Sequence, residues 1–150
     1  MTVKGISHVA IGVSDMDQSL AFYGNAIGLE VMRDTEEDVF GERRRAVYLG
    51  LGGSGPHEPF VVLDQQLTSG PFGSPPRILQ LGTHHFSFWV DDVPAVYQAM
   101  VDAGGRTVVG PEVVDSAAYG EAPGRQVMTA IVKDPDGNPV QIDQRLDDTA

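Results

Sequence analysis

The chain of 150 residues contains no cysteine, so disulfides, thiol nucleophiles and thiolate metal sites are excluded and any metal must take nitrogen or oxygen ligands. Basic residues are scarce. Ten Lys and Arg stand against twenty-one Asp and Glu, for a formal net charge of −11. Such a balance argues against nucleic acid and against anionic membrane surfaces, since both reward clustered positive charge. No uninterrupted apolar run approaches the roughly 18 residues of a membrane-spanning helix. Met1 leads straight into Val3–Val13 without a charged n-region or a small-residue cleavage site, and the expectation is a cytoplasmic protein. With 41% apolar and 21% charged residues, the composition is that of an ordinary folded domain.

What is present is a repeat. From His8 the chain reads HVAIGVSDMDQSLAFYGNAIGLEV, and from His85 it reads HFSFWVDDVPAVYQAMVDAGGRTV, an offset of 77 residues. Val13 matches Val90, Asp15 matches Asp92 and Gly28 matches Gly105. Each copy sets out an alternating strand, an acidic residue suited to capping a helix, apolar residues at helical spacing, and a glycine stop. The helical stripe is Leu20, Tyr23 and Ile27 in the first copy, and Val93, Val96, Tyr97, Met100 and Val101 in the second. Strand signals follow at Glu30–Thr35, Arg43–Leu51 and Phe60–Gln65, then again at Arg106–Val113, Arg125–Lys133 and Val140–Arg145. Each half therefore reads β-α-β-β-β. Module 1 covers about 4–65, a Gly- and Pro-bearing linker 66–81, and module 2 82–146, all within one domain. Val114–Gly124 is a longer loop of small residues, suited to a lid.

Strand periodicity sorts the faces. Val9, Ile11 and Val13 belong to the helix side of the first strand, and His8 faces away. In the second copy Phe86, Phe88 and Val90 take the helix side, while His85, Ser87 and Trp89 lie opposite. Asp64 shares a face with Phe60 and Val62, and Gln141 shares one with Asp143. Asp64 follows His8 by 56 residues and Gln141 follows His85 by 56, which makes them repeat mates by count. Two imidazoles, a carboxylate and an amide form an N₂O₂ set suited to a divalent ion. Phe60, Tyr48, Trp89 and Tyr119 could supply stacking surfaces for a ligand, and Ser87 a hydroxyl. The run Arg43-Arg44-Arg45 reads as a solvated strand edge, or as a contact for substrate phosphate or carboxylate.

With the repeat, the opening His8-Val9-Ala10-Ile11-Gly12-Val13, Phe22-Tyr23 and the closing Asp134-Pro135-Asp136-Gly137-Asn138, the chain resembles the vicinal oxygen chelate superfamily over roughly Gly5–Arg145. That group holds glyoxalase I, methylmalonyl-CoA epimerase, extradiol dioxygenases, fosfomycin-resistance enzymes and bleomycin-binding proteins. The resemblance implies an α+β fold of two tandem βαβββ modules, the glyoxalase/bleomycin-resistance/dihydroxybiphenyl dioxygenase fold, forming a cup-shaped mixed sheet. It implies metal ligands on the first and last strand of each module, here His8, Asp64, His85 and Gln141. Gln141 departs from the usual Glu, and Asp64 is a methylene shorter than the usual Glu or Gln.

The expected function is a divalent-metal enzyme, with Zn, Ni, Co, Mn or Fe(II), acting on a small substrate with neighbouring oxygens. Its chemistry would be of lyase or isomerase type. Asp64 is then a ligand or the catalytic base, since an amide such as Gln141 takes no proton at neutral pH. Two alternatives stand beside it. One is an Fe(II) ring-cleaving dioxygenase using His8, His85 and Asp64; the other is a metal-free binding or resistance protein with aromatic walls. The expected assembly is a homodimer, with no nucleic-acid or membrane partner.

Overall fold

The computed structural model describes residues 2–53, 55 and 57–147. The chain divides into two compact units, Met1–Ser74 and Pro75–Ala150. Unit 1 contains β1 (His8–Val13), the helix α1 (Met16–Leu20), β2 (Glu30–Val39), β3 (Glu42–Gly50) and β4 (Phe60–Gln66). Unit 2 contains β5 (Phe86–Trp89), α2 (Val93–Asp102), β6 (Arg106–Asp115), β7 (Gln126–Lys133) and β8 (Pro139–Arg145). The sheets are ordered β1-β4-β3-β2 and β5-β8-β7-β6. In each, the first and last strands are parallel neighbours, and the others are joined as antiparallel hairpins. Two βαβββ units are thus present, with strand ends within two residues of those read from the sequence except at β2, which runs four residues beyond Thr35 to Val39. Among the described residues, no helix is long and apolar enough to cross a membrane.

Both helices begin as the repeat predicts. Asp15 accepts from the Gln18 amide at 3.0 Å, and Asp92 accepts from the Ala95 amide at 3.0 Å. Each carboxylate thereby satisfies an amide left without a partner in the first turn.

The helix ends differ from the expectation. In unit 1, α1 runs on into a π-helical turn over Ala21–Ala26, where the Ile27 amide bonds the Phe22 carbonyl five residues back. A π turn accommodates one extra residue in a helix. Beyond it the repeat offset is 76, so Gly28 corresponds to Gly104 rather than Gly105. Gly28 has φ +89° and Gly104 φ +93°, whereas Gly105 is not in the left-handed region. The extra residue also moves the buried stripe of the first helix. Met16, Ser19, Phe22 and Tyr23 are buried, with Phe22 and Tyr23 packed edge to face at 5.0 Å. Leu20 and Ile27, expected there, are only half-buried. In α2, Val93 and Met100 are the buried members of the predicted stripe. Gly104→Ala is expected to destabilise the protein by about 1–2 kcal/mol, because an L side chain is strained at this φ. Gly105→Ala should leave the urea midpoint nearly unchanged.

The arginine run is not a free basic edge. Arg44 bonds Glu37 at 2.9 Å, Arg45 bonds Asp34 at 2.7 and 3.0 Å, and Arg43 pairs with Glu36. The partner carboxylates lie on β2, directly or diagonally across the β2–β3 hairpin. Arg43 and Arg45 face carboxylates in solvent, where such pairs contribute little, about 0–1 kcal/mol each.

Candidate functional site

The face of the unit 1 sheet away from α1 carries His8, Phe60, Asp64, Arg44 and Tyr48. His8 stacks on Phe60 with centroids 5.1 Å apart and rings 16° from parallel, and Tyr48 lies 6.0 Å from Phe60. Asp64 accepts from Arg44 at 2.6 Å, and the Tyr48 phenol donates to Glu37 at 3.2 Å. Burial raises the Asp64 pKa above the ordinary carboxylate range despite the opposing pull of Arg44.

Strand register overturns one reading of the repeat. On the parallel pair of unit 1, His8 is level with Phe60, Ala10 with Val62 and Gly12 with Asp64. In unit 2, Ser87 is level with Gln141 and Trp89 with Asp143. Since Ala10 and Gly12 are the mates of Ser87 and Trp89, Gln141 corresponds to Val62, and Asp64 corresponds to Asp143. The connections of unit 2 hold two more residues, a shift that preserves the face but changes the level. Asp64 therefore stands four residues beyond the level of His8, roughly 13 Å along the strand. Ligands to one ion must approach it to about 2.0–2.2 Å, a span these two side chains do not bridge.

Within unit 1, His8 and Asp64 are therefore not neighbours on the sheet. Among the described residues, no group of three or more His, Asp or Glu side chains is arranged to hold a metal. His85 and Gln141 remain on one face of unit 2, about two residues apart in level.

Unit 2 contains a cavity of about 520 Å³ on the sheet face away from α2, within the size range of small-molecule sites. His85, Ser87, Trp89, Tyr119, Gln141 and Asp143 line it. Asp143 organises the floor. The carboxylate belongs to a residue only 2% exposed and accepts from the Tyr119 phenol at 2.6 Å, from Gln141 Nε2 at 3.0 Å, and from the Ser87 hydroxyl. Burial and the bond to Asp143 push the Tyr119 pKa up to about 12, so the phenol stays protonated. Thr129, level with Asp143 on the neighbouring strand, also lines the cavity. Its buried hydroxyl makes no well-formed hydrogen bond, although the Tyr119 phenol is near enough to feel it.

Trp89, 56% exposed, stands with its ring 5.8 Å from Tyr119, and the Arg145 guanidinium lies 4.7 Å over the indole. His85 sits one residue before β5, with Nδ1 2.7 Å from Nδ1 of His84. Burial first, and then the neighbouring His84, lower its pKa below the ordinary imidazole value.

Tyr119 reaches this floor from the segment expected to form a lid. The segment is folded rather than loose: β6 extends to Asp115, and a 3₁₀ turn follows over Ser116–Tyr119. Asp115 accepts from the Ala117 and Gly124 amides, and the Ser116 hydroxyl donates to the Ala122 carbonyl at 2.6 Å. Arg145 ties the segment to β8 through Glu121 at 3.0 Å. Of the expected ligand-contacting residues, Ser87, Trp89 and Tyr119 meet in this cavity, whereas Phe60 and Tyr48 belong to unit 1. Asp143 was not singled out from the sequence, although its place two residues after Gln141 put it on the same face.

Comparison with known proteins agrees with this architecture. A probable chloroplastic lactoylglutathione lyase of Arabidopsis thaliana is 28% identical over 138 residues, 92% of this chain but 35% of its own length. A probable lactoylglutathione lyase of Vibrio parahaemolyticus is 27% identical over 141 residues, covering 93% of this chain and 89% of its own. This chain thus spans about a third of the Arabidopsis relative. Among solved structures, a glyoxalase family protein from Bacillus cereus superposes with a TM-score of 0.76 at 15% identity, covering 97% of both chains. A glyoxalase I variant from Zea mays gives 0.64 at 24% identity, over 93% of this chain and 44% of that one. Residues 5–142 match the family model, and the chain belongs to the Glyoxalase/Bleomycin resistance protein/Dioxygenase superfamily.

Proposed function

We propose that this chain is an enzyme of lyase or isomerase type acting on a small substrate with neighbouring oxygens, and that the cavity of unit 2 is its reaction site. The observation that carries this reading is the placement of an imidazole, His85, on the same cavity as an oriented polar floor, with burial lowering its pKa. A neutral imidazole can take a proton from a carbon beside a carbonyl and return it to the neighbouring atom, a redistribution that consumes no oxidant or reductant. The Gln141 carbonyl can accept from a substrate hydroxyl. Trp89 and Tyr119 supply a wall against which the substrate lies, and Asp143 holds Tyr119, Ser87 and Gln141 in place. The base role first read for Asp64 passes in this proposal to His85, because Asp64 is occupied by Arg44.

Lactoylglutathione lyase activity, the name borne by the Arabidopsis and Vibrio relatives, is the first to test. The purified chain is to be incubated with the hemithioacetal that glutathione forms with a 2-oxoaldehyde, alone and with each of Zn, Ni, Co, Mn and Fe(II), and thioester formation followed. Saturable turnover supports the activity, and none under any condition refutes it for this chain. A second reading, a metal-free binding protein, is favoured by the exposed Trp89 and by a floor whose donors are already engaged by Asp143. Ligand binding without chemical change to the ligand would establish it.

A further inference from the structure

The polar groups around Asp143 have a direction. Ser87, Tyr119 and Gln141 each spend a donor on the buried carboxylate, and Gln141 Nε2 also reaches Tyr119 Oη at 3.5 Å, which leaves lone pairs on Ser87 Oγ and the Gln141 carbonyl for a ligand. Glu112 is a second carboxylate in the lining, and none of the lining residues is Lys or Arg. The neighbouring Arg145 is matched by Glu121. Thr129, more than nine-tenths buried, also lines this space. A chain of net charge −11 also attracts cations from a distance.

Resting on the reading of this cavity as the ligand site, we propose that it selects a small flat molecule bearing a cationic nitrogen with N–H donors, such as a protonated amine or an amidinium. The donors meet the lone pairs of the floor, the charge is balanced by Asp143 and Glu112, and the flat part lies along Trp89 and Tyr119. An anionic group in the same position would meet two carboxylates, and the guanidinium of the neighbouring Arg145 is already paired with Glu121.

Trp89 is the chain's single tryptophan, so its fluorescence reports on this cavity alone. The probes are benzamidine, benzamide and benzoate, nearly equal in shape and differing in charge. Benzamidine is expected to give a saturable change with a Kd at least tenfold below that of benzamide, and benzoate to bind more weakly still. Asp143→Asn should bring the amidine-to-amide ratio close to one. Glu112→Gln, on an exposed strand position, should reduce it two- to threefold and serves as the second variant should Asp143→Asn fail to fold. Benzoate or benzamide binding as tightly as benzamidine overturns the charge preference while leaving the cavity as a binding site. No saturable response to any of the three removes the cavity reading itself, and this proposal with it.

Discussion

Asp134→Ala is expected to lower stability by about 2–5 kcal/mol, seen as a reduced urea midpoint with an unchanged slope. The side chain is fully buried in the turn between β7 and β8. Its carboxylate accepts from the amides of Gly137 and Asn138, both at 2.8 Å, and from Asn138 Nδ2 at 2.9 Å. Truncation leaves the Asn138 main-chain N–H and side-chain amide without their acceptor, each worth about 1–3 kcal/mol when buried, while the Gly137 amide keeps its bond to the Asp134 carbonyl at 2.9 Å. Asp134→Asn keeps one acceptor oxygen but turns an amide toward the Asn138 amide, and an intermediate loss should result. This turn launches the strand that carries Gln141 and Asp143. A weaker turn should therefore also loosen the cavity floor, and Trp89 fluorescence should shift before the global unfolding transition. Wild-type stability in Asp134→Ala would show that the turn is held by the adjoining strands alone.

His85→Ala is expected to reduce kcat by about 10²–10⁴-fold on whatever substrate the chain turns over, the usual range for loss of a positioned acid or base. The thermal midpoint should hardly move, since the ring is only half-buried and hydrogen-bonds the adjacent His84. Asp64→Asn is the contrasting variant. It loosens the Arg44 contact in unit 1 but leaves the unit 2 cavity untouched, so turnover should stay within a few-fold of wild type. Turnover surviving in His85→Ala and lost in Asp64→Asn would return the base to unit 1.

Much of this arrangement can be read from the residues, and the failures have physical causes. Strict alternation in β1 and β5 identifies the faces, and Asp15 and Asp92 identify the helix starts, because both depend on local geometry alone. The Gly105 stop misses by one because a π turn absorbs an extra residue within the first helix, and no feature of Ala21–Ala26 announces that turn. The match of Asp64 with Gln141 misses by two because insertions in the connections shift the level of a strand. Side-chain period cannot reveal an even shift. Only hydrogen-bonded register separates Val62 from Asp64 as the counterpart of Gln141. The partners of Arg43, Arg44 and Arg45 likewise depend on which residues the hairpin brings opposite one another.

Those arginine pairs also restrict how the hairpin can misfold. Arg45 and Arg43 reach Asp34 and Glu36 on one face, and Arg44 reaches Glu37 on the other. Sliding β2 by one residue would carry every carboxylate to the face opposite its guanidinium. The two charge alternations act as a key cut on both sides, which the hairpin enters in one alignment. Reversing one pair, with Arg44→Glu and Glu37→Arg together, should preserve that alignment, whereas Arg44→Glu alone sets three carboxylates, those of residue 44, Glu37 and Asp64, against one another.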